Sequence, residues 1–155
     1  MKNKRTELIV SAISNGTVID HIEAGNTFRV FRILGLENTT HQVYFGTNLE
    51  SSKYGKKGLI KISDKFFEKE DISKIALVAP SATLIEIRDY VVVRKEQISI
   101  PTTVEKTVKC FNPKCVTNNQ PVPTRFKVIS DHKGIMKLSC HYCEKTMDKT
   151  NIEFL

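Results

Sequence analysis

Tryptophan is absent from this chain, no cysteine precedes position 110, and no apolar run approaches the ~18 residues that a membrane-spanning helix requires. The last of these excludes a helical membrane anchor. Missing too are Gly-x-x-x-x-Gly-Lys-Ser/Thr, Gly-x-Gly-x-x-Gly and His-Glu-x-x-His, the short motifs that position phosphates, dinucleotides and catalytic metals. No catalytic constellation stands out, so an enzyme is not expected. The opening Met-Lys-Asn-Lys-Arg-Thr-Glu has no apolar stretch behind it, which argues against a secretory leader and for a cytoplasmic, reducing setting. No tract of low complexity and no internal repeat appears, and no five like charges adjoin.

What is present begins with charge. Over 155 residues the formal net charge is +7, which suits an acidic partner such as a nucleotide, a nucleic acid or an acidic protein surface. The excess is spread along the chain instead of forming one stripe, so a dedicated DNA-binding face is not evident. The length accommodates one domain or two small ones.

All four cysteines lie in the last third, as Cys110-Phe-Asn-Pro-Lys-Cys115 and Cys140-His-Tyr-Cys143. Two close pairs joined by a long insert are what a tetrahedral metal site needs, and a polar segment with few large apolar residues gains its stability from the ion. A structural Zn2+ is favoured over two disulfides, which need an oxidising compartment, and over a redox Cys-x-x-Cys, which needs only one pair. His141 could replace one thiolate, but four sulfurs already close the shell and leave no open position for chemistry.

Ahead of the cysteines, the chain reads as an alternation of strands and helices. Leu8–Ile13 and, after Asn15-Gly16, Thr17–Ile22 read as strands. Asn26 and Thr27 are N-cap types before Phe28, Phe31 and Leu34, whose spacing predicts an amphipathic helix stopped by Gly35. Gln42–Thr47 and Leu59–Ile62 predict two further strands, and Ile72, Ile75, Ala76 and Ala79 predict a short helix ending at Pro80. Ala82–Ile87 and Tyr90–Val93, parted by Arg88-Asp89, predict a hairpin. This order fits an α+β fold: an N-terminal ferredoxin-like sandwich, one sheet with two helices on one face, followed by a small zinc-stapled antiparallel β domain. The polar segment around Pro101 reads as the linker, dividing residues 1–101 from 102–155.

Individual polar residues support only modest readings by themselves. Asp20 and His21 are adjacent in a strand, which should send their side chains to opposite faces. Lys56, Lys57, Lys61, Arg94 and Lys95 could converge on phosphates, although such lysines are more often a solvated rim.

Taken together, Gly16-Thr17-Val18-Ile19-Asp20-His21-Ile22, Gly58-Leu59-Ile60-Lys61-Ile62, Ala76-Leu77, Ala79-Pro80, Ala82-Thr83 and the four cysteines with Tyr142-Cys143-Glu144-Lys145 resemble the regulatory chain of aspartate carbamoyltransferase. The resemblance spans essentially the whole chain. It implies a non-catalytic allosteric subunit whose N-terminal domain binds nucleoside triphosphates, CTP, ATP and UTP. The C-terminal zinc domain would hold the catalytic chain of pyrimidine biosynthesis, within a hetero-oligomer that contains a regulatory-chain homodimer.

Residue by residue, the resemblance places Ala12, Ile13 and Val18 around the base, and Tyr90 and Val92 on the opposite wall. It places Asp20 at the ribose, His21 near the phosphate or sugar, Lys95 at the triphosphate, Lys61 toward sugar and base, and Lys57 in a looser electrostatic role. Asn112, Tyr142, Glu144 and Lys145 would face the catalytic chain. Two departures bear on base preference: Ile85 where the prototype carries asparagine, and Ser11 where it carries glutamate. The N-terminus also differs, so a second, metal-bridged nucleotide is not carried over. The rival reading is a nucleic-acid-binding zinc ribbon, for which Phe111 and Tyr142 supply few aromatics.

Overall fold

A computed structural model describes residues 12–52 and 55–155. Most of the expected first strand, and Ser11, lie outside them; Ala12 and Ile13 are in no strand. The chain forms two compact units. The first comprises the chain up to Glu68 together with Ser81–Ile98, and the second comprises Lys69–Pro80 together with Ser99–Leu155.

The first unit is built on five antiparallel strands, β1 (Gly16–Glu23), β2 (Val43–Ser51), β3 (Gly55–Ser63), β4 (Thr83–Arg88) and β5 (Val91–Gln97), in the order β2-β3-β1-β4-β5. Two α-helices complete the element order, α1 (Thr27–Ile33) and α2 (Lys69–Val78). The order β-α-β-β-α-β along the chain and the central β1 and β3 match the expected ferredoxin-like order, extended by β5 through a hairpin, but of the two expected helices only α1 belongs to the first unit. Branched residues on one sheet face make the core: Ile19, Ile60 and Leu84 are fully buried cross-strand neighbours. α2 is counted with the second unit, where Leu77 joins the core.

α1 differs from its expected pattern. Phe28 is 53 % exposed, and the helix buries Thr27 and Val30 instead. Phe28 and Phe31 close on Phe45 of β2, with ring centroids 5.3 and 5.5 Å away, so the aromatics form a lateral cluster outside the core. Thr27 is buried because β3 passes it at Gly58: a Cβ there would lie 1.9 Å from Thr27 Oγ1, so only glycine permits the approach. Asn26 occupies the N-cap position but makes no capping bond; its amide donates to Glu23 at 3.2 Å. Gly35, at φ 65°, ends the helix as expected.

The expected hairpin is present with its turn one residue later, at Asp89-Tyr90, both of which have positive φ (49° and 64°). β5 then runs on through Arg94, Lys95 and Glu96 to Gln97. Its charges hid it from a hydrophobic pattern because this edge strand is exposed along its whole length. α2 likewise begins earlier than its apolar spacing suggests, at Lys69, with Glu70 and Asp71 in the first turn, where acids complement the helix dipole.

The second unit holds a four-stranded antiparallel sheet, order β10-β9-β8-β6, made of β6 (Thr103–Glu105), β8 (Arg125–Ser130), β9 (Met136–Cys140) and β10 (Thr146–Asp148). A two-stranded pair joins β7 (Val108–Lys109) to β11 (Glu153–Phe154), and a one-turn helix α3 spans Val116–Asn119. Alternation along β9 points Met136, Leu138 and Cys140 inward onto Phe126, Val104, Val108 and Met147. Cysteine sulfurs are therefore part of this small core.

Candidate metal centre and polar sheet face

Cys110 follows β7, Cys115 leads into α3, Cys140 ends β9 and Cys143 sits in the turn before β10. The two loops belong to different sheets and meet at the core shared by Val108, Leu138, Cys110, Cys115 and Cys140, where the four Sγ atoms all lie within 4.8 Å of one another. Cys110 and Cys143 sulfurs are 3.7 Å apart, as are those of Cys115 and Cys140, and none is in a disulfide. Such closely gathered soft donors fit one metal ion. His141 is exposed, stacks edge-on to Tyr142 at 5.0 Å and is not among the clustered donors.

The thiols are electrostatically unequal. Burial pushes Cys110 and Cys140 up. Burial also works upward on Cys115 and Cys143, but hydrogen bonds outweigh it: the Thr117 hydroxyl and backbone lower Cys115, and the Lys145 N–H and the Asn112 side chain bring Cys143 to about 7. A bound cation would draw all four sulfurs to the thiolate form.

Asn112 accepts the Lys114 N–H on Oδ1 at 3.1 Å. Glu144, at φ 60°, donates its N–H to the Cys140 carbonyl at 3.0 Å, and the Lys145 carbonyl accepts the Cys140 N–H at 2.9 Å. Tyr142 is 40 % exposed. All four residues expected at a partner surface therefore sit on the two cysteine loops.

The second candidate site is the sheet face opposite the core of the first unit. Register places Lys61, Val18, Ile85 and Lys95 in one cross-strand row over β3, β1, β4 and β5. Asp20, Thr83 and Gln97 form the next row. Between Ile19 and Ile22 the β1–β3 register shifts, so Asp20 and His21 together stand opposite Leu59. This is a β-bulge with His21 at φ 55°, and a bulge re-aims side chains that regular pleating would separate. The expectation that adjacent Asp20 and His21 point apart is thereby corrected.

Asp20 Oδ1 accepts both Lys57 Nζ and the His21 N–H at 2.7 Å, and His21 Nδ1 lies 4.0 Å from Asp20 Oδ2. His21 Nδ1 meets Thr83 Oγ1 at 3.1 Å, and Ser81 Oγ donates to the His21 carbonyl at 3.0 Å. Lys61 is lowered from the ordinary lysine value by burial, which Asp20 partly offsets. Thr83 joins the site through its register with Asp20, and Ser81 through the turn that precedes β4; neither residue type marks a site in the sequence.

A second shift, between Glu86 and Ile87, leaves Val93 unpaired against β4 and puts Val92 and Lys95 on one face although three residues apart. Val92 is 54 % and Tyr90 73 % exposed. Tyr90 is tied by its N–H to the Ser14 carbonyl at 2.9 Å, Ile13 is buried and Ala12 exposed. Chemically, this face offers a carboxylate, an imidazole and lysines beside an exposed apolar edge, a set suited to a polyanion carrying hydroxyls and a flat apolar group.

Comparison with known proteins gives two matches to family sequence profiles: "Aspartate carbamoyltransferase regulatory chain, allosteric domain" over residues 8–99, and the metal binding domain of the same chain over residues 102–153. Curated relatives carry the name aspartate carbamoyltransferase regulatory chain. That of Phocaeicola vulgatus is 48% identical over 155 residues, covering 100% of this chain and 99% of its own. That of Bacteroides thetaiotaomicron is 48% identical with 100% of both chains covered. That of Pyrococcus horikoshii is 47% identical over 148 residues, covering 94% and 96%. These matches do not favour the nucleic-acid-binding zinc ribbon.

Proposed function

Because the chain belongs to the family of aspartate carbamoyltransferase regulatory chains, with an allosteric and a metal-binding domain, we propose that it is a nucleotide-sensing subunit that tunes a catalytic chain. Its effectors are nucleoside triphosphates, CTP, ATP and UTP, and its partner makes carbamoyl-aspartate in pyrimidine biosynthesis in the cytoplasm. The observation that carries this reading is the bulge at Asp20-His21, which assembles Asp20, His21, Lys57 and Lys61 on one sheet face of the first unit.

In this reading Asp20 accepts from ribose hydroxyls, while His21, Lys57, Lys61 and Lys95 meet the triphosphate and sugar as donors and point charges. Ala12, Ile13, Val18, Tyr90 and Val92 enclose the base through apolar surface and backbone groups. Such a wall distinguishes an amino group from a keto oxygen by which donor or acceptor it offers. Residues 1–101 form the sensing domain and residues 102–155 the docking domain.

The metal is Zn2+. With Zn–S at about 2.3 Å, tetrahedral sulfurs stand about 3.8 Å apart. The two 3.7 Å pairs support that fit. Cys110, Cys115, Cys140 and Cys143 would hold the ion, which supplies a closed structural cross-link and no reactive position. Around it, Asn112, Tyr142, Glu144 and Lys145 dock the catalytic chain, and two regulatory chains pair within the hetero-oligomer.

Regulation follows from linkage. An effector that prefers one quaternary state shifts the equilibrium by its differential affinity, typically ~1–3 kcal/mol, and substrate shifts effector affinity by the same factor. Co-purification with the catalytic chain, followed by activity measurements with and without CTP, ATP and UTP, tests the proposal. A complex that forms and ignores all three nucleotides would remove the sensing role.

A further inference from the structure

α3 is a single turn, too short to persist on its own hydrogen bonds, yet its side chains are folded back onto the loop before it. Asn118 Nδ2 donates to the carbonyls of Cys110 at 2.9 Å and Asn112 at 2.8 Å. Asn119 Nδ2 donates to the carbonyls of Pro113 at 3.0 Å and Cys115 at 2.8 Å. Two neighbouring amides thus tie four carbonyls of the Cys110–Cys115 loop. Thr117 Oγ1 also donates to Cys115 Sγ at 3.2 Å.

The clamped loop faces the second loop through its sulfurs, Cys110 Sγ lying 3.7 Å from Cys143 Sγ and Cys115 Sγ 3.7 Å from Cys140 Sγ. Within it, the Asn112 carbonyl is held by Asn118 and by the Cys115 N–H at 3.0 Å. The Cys140–Cys143 turn is itself closed by backbone bonds between Cys140 and Glu144 or Lys145. Backbone bonds close both loops, and the first carries the asparagine side-chain bonds in addition.

We propose that Asn118 and Asn119 are positioning residues that set the first cysteine loop in its ligating shape and so slow the escape of the metal. This rests on reading the four thiolates as a metal site. A loop whose carbonyls are already bonded loses less conformational freedom when its two thiolates are drawn to one ion. Partners one step removed from a metal typically change its affinity by about tenfold to a hundredfold when they are lost. Asn118→Asp removes the donating amide at constant size, and Asn119→Ala removes the second amide from an exposed residue.

The test is transfer of zinc from the loaded full chain to a colorimetric chelator, together with the ligand-field absorption of the cobalt-substituted chain. Asn118→Asp should release zinc roughly tenfold to a hundredfold faster than the unaltered chain, and its cobalt bands should shift. Asn119→Ala should release faster than the unaltered chain by a smaller factor, and it keeps the test informative should Asn118→Asp fold poorly. Wild-type release rates and unchanged cobalt bands in both variants would overturn the clamp alone. An unaltered chain that takes up no metal would overturn the thiolate reading beneath it.

Discussion

Lys57 Nζ meets Asp20 Oδ1 at 2.7 Å across β3 and β1, with both side chains less than a fifth exposed. The same oxygen accepts the His21 N–H, so one carboxylate pins both the lysine and the bulge. Asp20→Ala strands the lysine charge and frees the bulge. It should lower stability by about 1.5–3 kcal/mol, the range for hydrogen bonds to charged groups. Chemical unfolding of Asp20→Ala beside the unaltered chain measures this; equal midpoints and slopes would show that the pair holds nothing.

Lys61 titrates below an ordinary lysine because burial disfavours its charge, partly offset by Asp20. The sign follows directly. The unfolded chain keeps this proton to higher pH, so between the lowered folded value and the ordinary value of 10.5 Lys61 makes stability rise with pH. Triphosphate binding has the opposite trend, since the anion needs the charged amine. Affinity should therefore fall as pH rises through the lowered value, with proton uptake on binding. Titration calorimetry in buffers of different ionisation enthalpy reads both, and Lys61→Arg should flatten the alkaline fall. An identical fall in that variant would acquit Lys61.

Lys95 is exposed on the edge strand, in register with Ile85 and on the side of Lys61. Lys95→Ala should weaken triphosphate binding by about 1.5–3 kcal/mol, roughly tenfold to a hundredfold, while metal content and assembly stay unchanged. Unaltered affinities for CTP and ATP by calorimetry would remove Lys95 from the site.

Cys115 is buried in the core of the second unit, with its sulfur 3.7 Å from that of Cys140. Cys115→Ala should lose metal and association with the catalytic chain together, because the ion shapes the loops that carry Asn112 and Tyr142. Metal analysis and gel filtration with the catalytic chain provide the check. A metal-free chain that still co-elutes would break the link between staple and docking.

Ile85 stands between Val18 and Lys95 in the cross-strand row, and its side chain has no donor or acceptor. Ile85→Asn restores both. The ratio of CTP to ATP affinity should change by roughly two- to tenfold, the worth of one net hydrogen bond of about 0.5–1.5 kcal/mol. Competition binding of the two nucleotides settles it, and a constant ratio would assign base preference elsewhere.

Elements whose burial follows their own period were readable in advance. β3 and β4 bury one face, β1 is marked by its branched residues although Thr17, Val18 and Ile19 are all buried, and Gly35 stops α1 as its position suggests. β5 extends beyond its apolar residues to Gln97, because an exposed edge strand carries charges that no hydrophobic pattern marks. Phe28 and Phe31 gave α1 the wrong inward face: their partner is Phe45, on a strand whose approach depends on pairing with β3. At the metal centre the ligands were legible and their supports were not. Thr117, Asn118 and Asn119 look like ordinary loop residues until the chain turns back on Cys110.

The sequence by itself determined that four cysteines would gather on two loops, that Lys61 and an Asp-His pair would stand on strands, and that a β-α-β-β-α-β order would run through the first part of the chain. These follow from spacing, local periodicity and residue chemistry. Tertiary structure alone decided that Asp20 and His21 act from one place. Strict alternation separates adjacent side chains, and only a register shift against Leu59, set by long-range pairing with β3, folds His21 into a positive φ and turns both toward Lys57 and Thr83.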